Sequence, residues 1–252
     1  MRTRIAPTPS GYLHIGNAVN FLVTWAHARS RGGEVLLRID DADPQMMVPG
    51  AVADIEATIA WLGIDLDGHL PSQRTRYDRY RVALEELRDA GVLFACSCTR
   101  SEIRAASADG TYPGTCLHRG LSLDAPDVAW RVAIDGSLPY PIVRGKNGLP
   151  GYHIASLCDD VDHGMTLVVR GEDLAPSSWA QREIAMRAPS LLPFLDVEII
   201  HHALITGADG QKLSKSQSAT SIAAMREQGA TRDVVVALAA QLVPDAVAAV
   251  MF

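Results

Sequence analysis

The chain holds three lysines against twenty arginines, and two of the three lie in Lys212-Leu213-Ser214-Lys215-Ser216. Where arginine supplies nearly every positive charge, these two mark a place for a compact, mobile ammonium, which meets phosphate as a point charge. Gly207, Gly210, Ser214, Ser216 and Ser218 surround them. The stretch reads as a loop that can close over phosphates and neutralise charge building up during a displacement. Near the other end, His14-Ile15-Gly16-Asn17 follows Ala6-Pro7-Thr8-Pro9-Ser10-Gly11. His14 can donate to phosphate oxygens, and Gly16 removes a side chain where a flat adenine would otherwise clash. Both stretches make sense around one nucleotide triphosphate, met by His14, Gly16, Asn17 and Lys215, with Lys212 and Ser214 beside them.

A second chemistry is carried by cysteine. Cys96-x-Cys98 is followed by Tyr112-x3-Cys116-x-His118, three thiols with a phenol and an imidazole nearby. Clustered thiols in a reducing compartment point to a metal more than to disulfides, and a tetrahedral set of three thiolates and one further donor suits structural Zn²⁺. Tyr112 and His118 both stand as candidates for the fourth ligand. Cys158 lies in an apolar stretch and reads as a small buried side chain. Asp159, Asp160, Asp162 and His163 form another group of metal-binding types, read as local capping and hydrogen bonding.

The elements that must position these residues follow from periodicity. Arg2 to Ala6 is a strand ended by a Pro-Thr-Pro-Ser-Gly turn; Ala18, Phe21, Leu22, Trp25 and Ala28 recur at helical spacing over residues 15–30. Gly32-Gly33 stops that helix, and residues 34–39 form a second strand, which makes a βαβ unit and implies a parallel sheet. Such a turn puts free backbone N–H groups and a positive helix end at the sheet's carboxyl edge. Helices are expected from Gly50 to Leu62 and from Arg74 to Ala90, where Arg74, Arg81 and Arg88 repeat every seven residues. That arginine set is either a solvated face or a phosphate-contacting one. Further strands are expected at 165–169 and 197–200, with helices at 177–187, 221–228 and 232–242. The fold class is α/β, a Rossmann-type parallel sheet with a small zinc-binding insertion. Its segments are a first half over 1–93, the insertion over 94–138, a second half over 139–217 and a short helical end over 218–252.

The length, 252 residues, allows one substantial core, and the formal net charge of −6 attracts no polyanion globally. No signal-peptide pattern and no membrane-length apolar run occurs, so a cytoplasmic location is expected.

Ala6-Pro7-Thr8-Pro9-Ser10-Gly11-Tyr12-Leu13-His14-Ile15-Gly16 and Lys212-Leu213-Ser214-Lys215 resemble the two signature motifs of class I aminoacyl-tRNA synthetases. The flanks are similar to the glutamyl branch. Arg38-Ile39-Asp40-Asp41-Ala42-Asp43 stands for its Arg-Ile-Glu-Asp-x-Asp stretch. Ser72-Gln73-Arg74, Cys96-x-Cys98-Thr99-Arg100 and Val169-Arg170-Gly171-Glu172-Asp173-Leu174 follow in order. The resemblance runs from Arg4 to about Ser218. It implies ATP-dependent activation of glutamate, or a close analogue, to an aminoacyl-adenylate. It implies that Arg4, Ala6, Thr8, Tyr152, Ser156 and Arg170 hold the amino acid, with Asp40 receiving its ammonium. It also implies structural zinc, with Tyr112 used as fourth ligand in shortened members and His118 still open. Asp40 departs from the branch's glutamate by one methylene, a difference worth roughly 1–3 kcal/mol in substrate preference. Only 36 residues follow Ser216, too few for the helical anticodon-binding region of longer members. The shortened members transfer glutamate to the queuosine base of tRNA(Asp), which makes that tRNA the expected partner. A tRNA-independent paralogue, passing the activated amino acid to a small amine or a carrier protein, is the alternative.

Overall fold

The glycine stops and apolar periods resolve into eight strands and nine α-helices in the computed structural model, which describes residues 1–107, 111–134, 140–204 and 221–251. In chain order they are β1 (Arg2–Ile5), α1 (Ile15–Arg29), β2 (Glu34–Leu37), α2 (Ala51–Leu62), β3 (Gly68–His69), α3 (Tyr77–Asp89), β4 (Leu93–Cys96) and α4 (Arg100–Ala106). Then come β5 (Ala129–Val132), β6 (Ile142–Arg144), α5 (Tyr152–Asp162), β7 (Leu167–Gly171), α6 (Ala175–Ala185), β8 (Glu198–His202), α7 (Ile222–Glu227), α8 (Asp233–Leu242) and α9 (Pro244–Met251). They divide into two compact units, one of residues 1–72, 164–175 and 197–252, the other of 73–163 and 176–196.

The first unit is built on parallel strands. β1 pairs with β2, β2 with β3, and β7 with β8, all in parallel. β7 lies on the free side of β1: Thr3 Oγ1 donates to Leu167 O at 2.8 Å, and Thr166 N to Arg2 O at 2.9 Å. β1 therefore lies between β2 and β7, with β1-β2-β3 and β7-β8 as two laddered sheets joined by these bonds. α1 is apolar nearly all round, with Ala18, Val19, Phe21, Leu22, Val23, Trp25, Ala26 and Ala28 buried, because the sheet covers one side and α8 and α9 the other. Each such large side chain contributes about 1.5–3 kcal/mol on burial. Helix α9 was not expected from the sequence; its alanines and valines cover α1 through Val247. The turn closing α2 uses Gly63 at φ +71°, a conformation costly for any residue with a Cβ.

The second unit holds a three-stranded antiparallel sheet in the order β4-β5-β6, packed with α3 and α5. Residues 94–138, expected as a separate insertion, are one part of this larger body. Tyr80, Ala83, Leu84 and Leu87 line the buried face of α3, which packs against α5 and the 189–196 turns, while α5 packs in turn against β6. Of the heptad arginines, Arg81 pairs with Asp78 on the exposed face, and Arg88 forks onto Asp124 at 2.9 and 2.5 Å. Buried Asp159 accepts from Gln73 Nε2 at 2.7 Å, Arg76 Nε at 2.8 Å and Tyr80 Oη at 2.9 Å. Asp162 takes Arg76 and Arg79. Asp159 and Asp162 thus hydrogen-bond as expected, but to partners on the distant 73–80 stretch instead of capping locally. Among the described residues no helix is long and apolar enough to cross a membrane.

Candidate active site and metal centre

The carboxyl edge of the parallel strands in the first unit collects most of the expected site. Arg4 lies on the last turn of the pleat of β1 and Arg170 near the end of β7, at 5% and 4% exposure, and Asp40 follows β2 at 8%. A backbone bond from Asp40 N to Pro7 O, 2.9 Å, joins the chain leaving β2 to the turn leaving β1. Ala6 is half-buried, while Thr8 is exposed. In open α/β sheets ligands bind at this edge, where the crossover direction changes.

His14 is the N-cap of α1. Asn17 Oδ1 accepts from His14 N at 3.0 Å, so this asparagine fixes the first turn of the helix. The imidazole folds over Gly16: a Cβ there would meet its Cε1 and Nδ1 at 3.1 Å. Gly16 therefore makes room first for the His14 ring itself. Lys212, Ser214 and Lys215 lie in 205–220, outside the described residues. Both flanks of that segment are anchored in this unit. Leu204 N donates to Glu172 Oε1 at 3.3 Å, and Ser221 forms a bridge with His14, with Ile222 N donating to Leu13 O at 2.8 Å.

Two ion pairs, each with a buried carboxylate, lie beside these residues and were not expected from the sequence. Arg38 is fully buried, its Nε 2.5 Å from Asp40 Oδ1, so a guanidinium sits behind the acid expected to meet substrate. A counter-charge of this kind lets a carboxylate stay ionised away from water. Asp54, on α2, accepts from Leu13 N at 3.0 Å and from Arg226 Nη2 at 2.8 Å. Arg38 sits in the quoted motif and was open to notice; Asp54 gave no signal, since an acid in the first turn of a helix is commonplace. His201, on β8 in register with Arg170, is held below the ordinary imidazole range by burial and by the Arg170 and His202 charges.

Tyr152 and Ser156 belong to the second unit, on the first turns of α5, Tyr152 exposed and Ser156 fully buried. The same unit holds the thiol cluster. The sulfurs of Cys96, Cys98 and Cys116 lie within 4.8 Å of one another, with Cys98 and Cys116 3.5 Å apart. Tetrahedral coordination at about 2.3 Å per Zn–S bond requires sulfurs about 3.8 Å apart, so the spacing fits a metal. Cys116 is brought down to about 7: burial opposes this, but donation from the Ser97 backbone, Tyr112 and the neighbouring thiols outweighs it. Cys98 is pushed up to about 11 by burial and its bond with Cys116. Tyr112, buried between Phe94, Tyr140 and the Arg131 guanidinium, accepts from Cys116 N at 2.8 Å. Of the two candidate fourth donors, this phenol is the one at the thiols; His118 is exposed and outside the cluster.

A parallel sheet with this edge and this helix start is an open α/β arrangement of the Rossmann type. The family model for the class I tRNA synthetase (E and Q) catalytic domain matches residues 1–115 and 124–243, and the chain belongs to that family of ligases. It is 38% identical over 247 residues to the glutamyl-Q tRNA(Asp) synthetase of Parasynechococcus marenigrum (strain WH8102), covering 95% of this chain and 82% of that protein. It is 36% identical over 255 residues to glutamate–tRNA ligase 1 of Acidithiobacillus ferrooxidans, covering 91% of this chain but 54% of the relative. Among solved structures, the glutamate-tRNA synthetase from Elizabethkingia anophelis superposes with a TM-score of 0.73 at 23% identity, over 95% of this chain and 61% of that one.

Proposed function

We propose that the protein activates glutamate with ATP·Mg²⁺ and transfers the glutamyl group to tRNA, the acceptor being the queuosine base of tRNA(Asp). The observation that carries this reading is the carboxyl edge of the first unit, where His14, folded over Gly16 at the start of α1, shares one sheet edge with Arg4, Asp40 and Arg170. A helix start backed by histidine suits the triphosphate. Two guanidinium groups and one acid suit an amino acid bearing two carboxylates and one ammonium.

The glutamate α-carboxylate attacks the α-phosphorus in line, and pyrophosphate leaves with its electron pair. No side chain becomes a covalent nucleophile; the protein positions the reactants and neutralises charge on the transferring group. Lys212 and Lys215 would supply the neutralising ammonium groups. Lys215 is six positions before Ser221 in sequence, a span of at most about 21 Å, and Ser221 is bridged to His14. Relatives named glutamyl-Q tRNA(Asp) synthetase, at 38% and 36% identity, support that acceptor. Zn²⁺ would be held by Cys96, Cys98, Cys116 and Tyr112 as a structural ion, fixing a small cluster whose buried residues, among those described, are Phe94, Cys96, Tyr112 and Cys116.

The test is exchange of labelled pyrophosphate into ATP. Glutamate should support it without tRNA, and Lys215→Ala should slow it by at least about a hundredfold without lowering the melting temperature. Charging of queuosine-containing tRNA(Asp), and not of tRNA(Glu), should follow. Absence of glutamate-dependent exchange, or full activity of Lys215→Ala, would overturn the assignment; exchange without any charged tRNA would instead favour a small amine or a carrier protein as acceptor.

A further inference from the structure

Asp54 is 5% exposed and lies on α2, outside the signature motifs themselves. Its two oxygens have separate tasks. Oδ2 takes the Leu13 N–H at 3.0 Å, and Oδ1 takes Arg226 Nη2, on α7, at 2.8 Å. Leu13 O in turn receives the N–H of Ile222, the first residue of α7, at 2.8 Å, and His14 bridges to Ser221, the N-cap of that helix. Ser221 Oγ accepts from Ala224 N at 3.1 Å, which fixes the start of α7. The residue before His14 is thereby held at both its backbone polar groups, once directly by Asp54 and once through the helix that Asp54 grips by its arginine.

We infer that Asp54 and Arg226 are positioning residues for His14; the inference rests on the proposed role of His14 at the triphosphate. The physical case is one of rigidity. A buried carboxylate with an ionic partner and a backbone donor is costly to move, because either bond lost leaves a charge or an N–H unsatisfied in a water-poor setting. The triangle of α2, the Leu13 turn and α7 therefore fixes where the α1 N-terminus and its imidazole stand. A displacement of about 1 Å at a catalytic group can cost as much as a hundredfold in rate. Neither Asp54 nor Arg226 needs to touch ATP or the amino acid for this effect.

The test is glutamate-dependent pyrophosphate exchange in Arg226→Met, Arg226→Lys, Asp54→Asn and His14→Ala, with the doubles Arg226→Met/His14→Ala and Asp54→Asn/His14→Ala. Asp54→Asn keeps an acceptor for Leu13 N–H and loses the charge facing Arg226. Arg226→Met should lower kcat about tenfold while KM for glutamate stays within about twofold, and Arg226→Lys should recover most of the loss. Added to His14→Ala, Arg226→Met should cost less than about twofold more, since both act through one side chain. Should Arg226→Met fail to fold, Asp54→Asn alone and combined with His14→Ala supplies the same cycle. Wild-type kcat in Arg226→Met and Asp54→Asn, or losses that multiply with that of His14→Ala, overturns the inference. An inactive wild type, or a fully active His14→Ala, would instead strike the proposed function.

Discussion

At the scale of single residues, the thiol cluster separates two readings that spacing alone left equal. Cys116-x-His118 places an imidazole two residues from a thiol, and Tyr112 places a phenol four residues before it. Neither distance along the chain says which side chain turns inward. Tyr112 does, because its ring is wanted by the small core of Phe94, Tyr140 and Arg131, and burial of the ring brings its oxygen to Cys116. The expected outcome is that Tyr112→Phe weakens zinc retention against a chelator by at least about tenfold, whereas His118→Ala leaves it unchanged. Zinc content by atomic absorption after dialysis checks this, and equal loss from both variants would contradict the assignment. Asp40 illustrates the opposite case. Its motif was legible as a string, but the buried Arg38 behind it became meaningful only once the backbone had turned.

At the scale of elements, glycine stops and apolar periods announced β1, α1, β2 and α2 with little error, since each is a local pattern with a local end. The antiparallel strands of the second unit did not announce themselves. β5 is four residues long and buried throughout, Arg131 included, so it shows no alternation to read. The packing of α3 on α5 was equally hidden, because the residue that ties them, Asp159, looked like one of several acids. Removing it leaves Arg76, Gln73 and Tyr80 without their shared acceptor. Burial and the adjacent Asp159 charge already push the Tyr80 phenol far above its ordinary range. Asp159→Ala should cost about 3–5 kcal/mol in denaturant unfolding, the range for breaking a buried ionic group on one side. A loss below about 1 kcal/mol would show that water or a neighbour replaces it.

At the scale of the whole molecule, charge enters through titration more than through net field. His27, on α1, is held below the ordinary imidazole range by burial first, then by Arg31 and His202, with Glu198 opposing. His201 moves the same way. In the unfolded chain both imidazoles take up protons near pH 6.5, while the folded protein resists until lower pH. The unfolded state therefore binds more protons in that window, and stability falls as pH drops through 6.5 toward the folded values. The melting temperature should decline by a few degrees between pH 7.5 and 5.5, with the decline reduced in His27→Gln; a flat profile would contradict it. The place of β1 between β2 and β7 makes completion of the sheet a long-range step. Thr3 meets Leu167 across 164 residues of chain, so one side of the middle strand has no neighbour while all the intervening sequence is being synthesised. A closure of that length is slow when the chain is loose. The intervening stretch, however, is mostly the second unit, and Gln73 at its entrance is 2.7 Å from Asp159 near its exit. Once that clasp forms, β1 and β7 are separated by a shorter effective loop, which lowers the entropic cost of bringing them together.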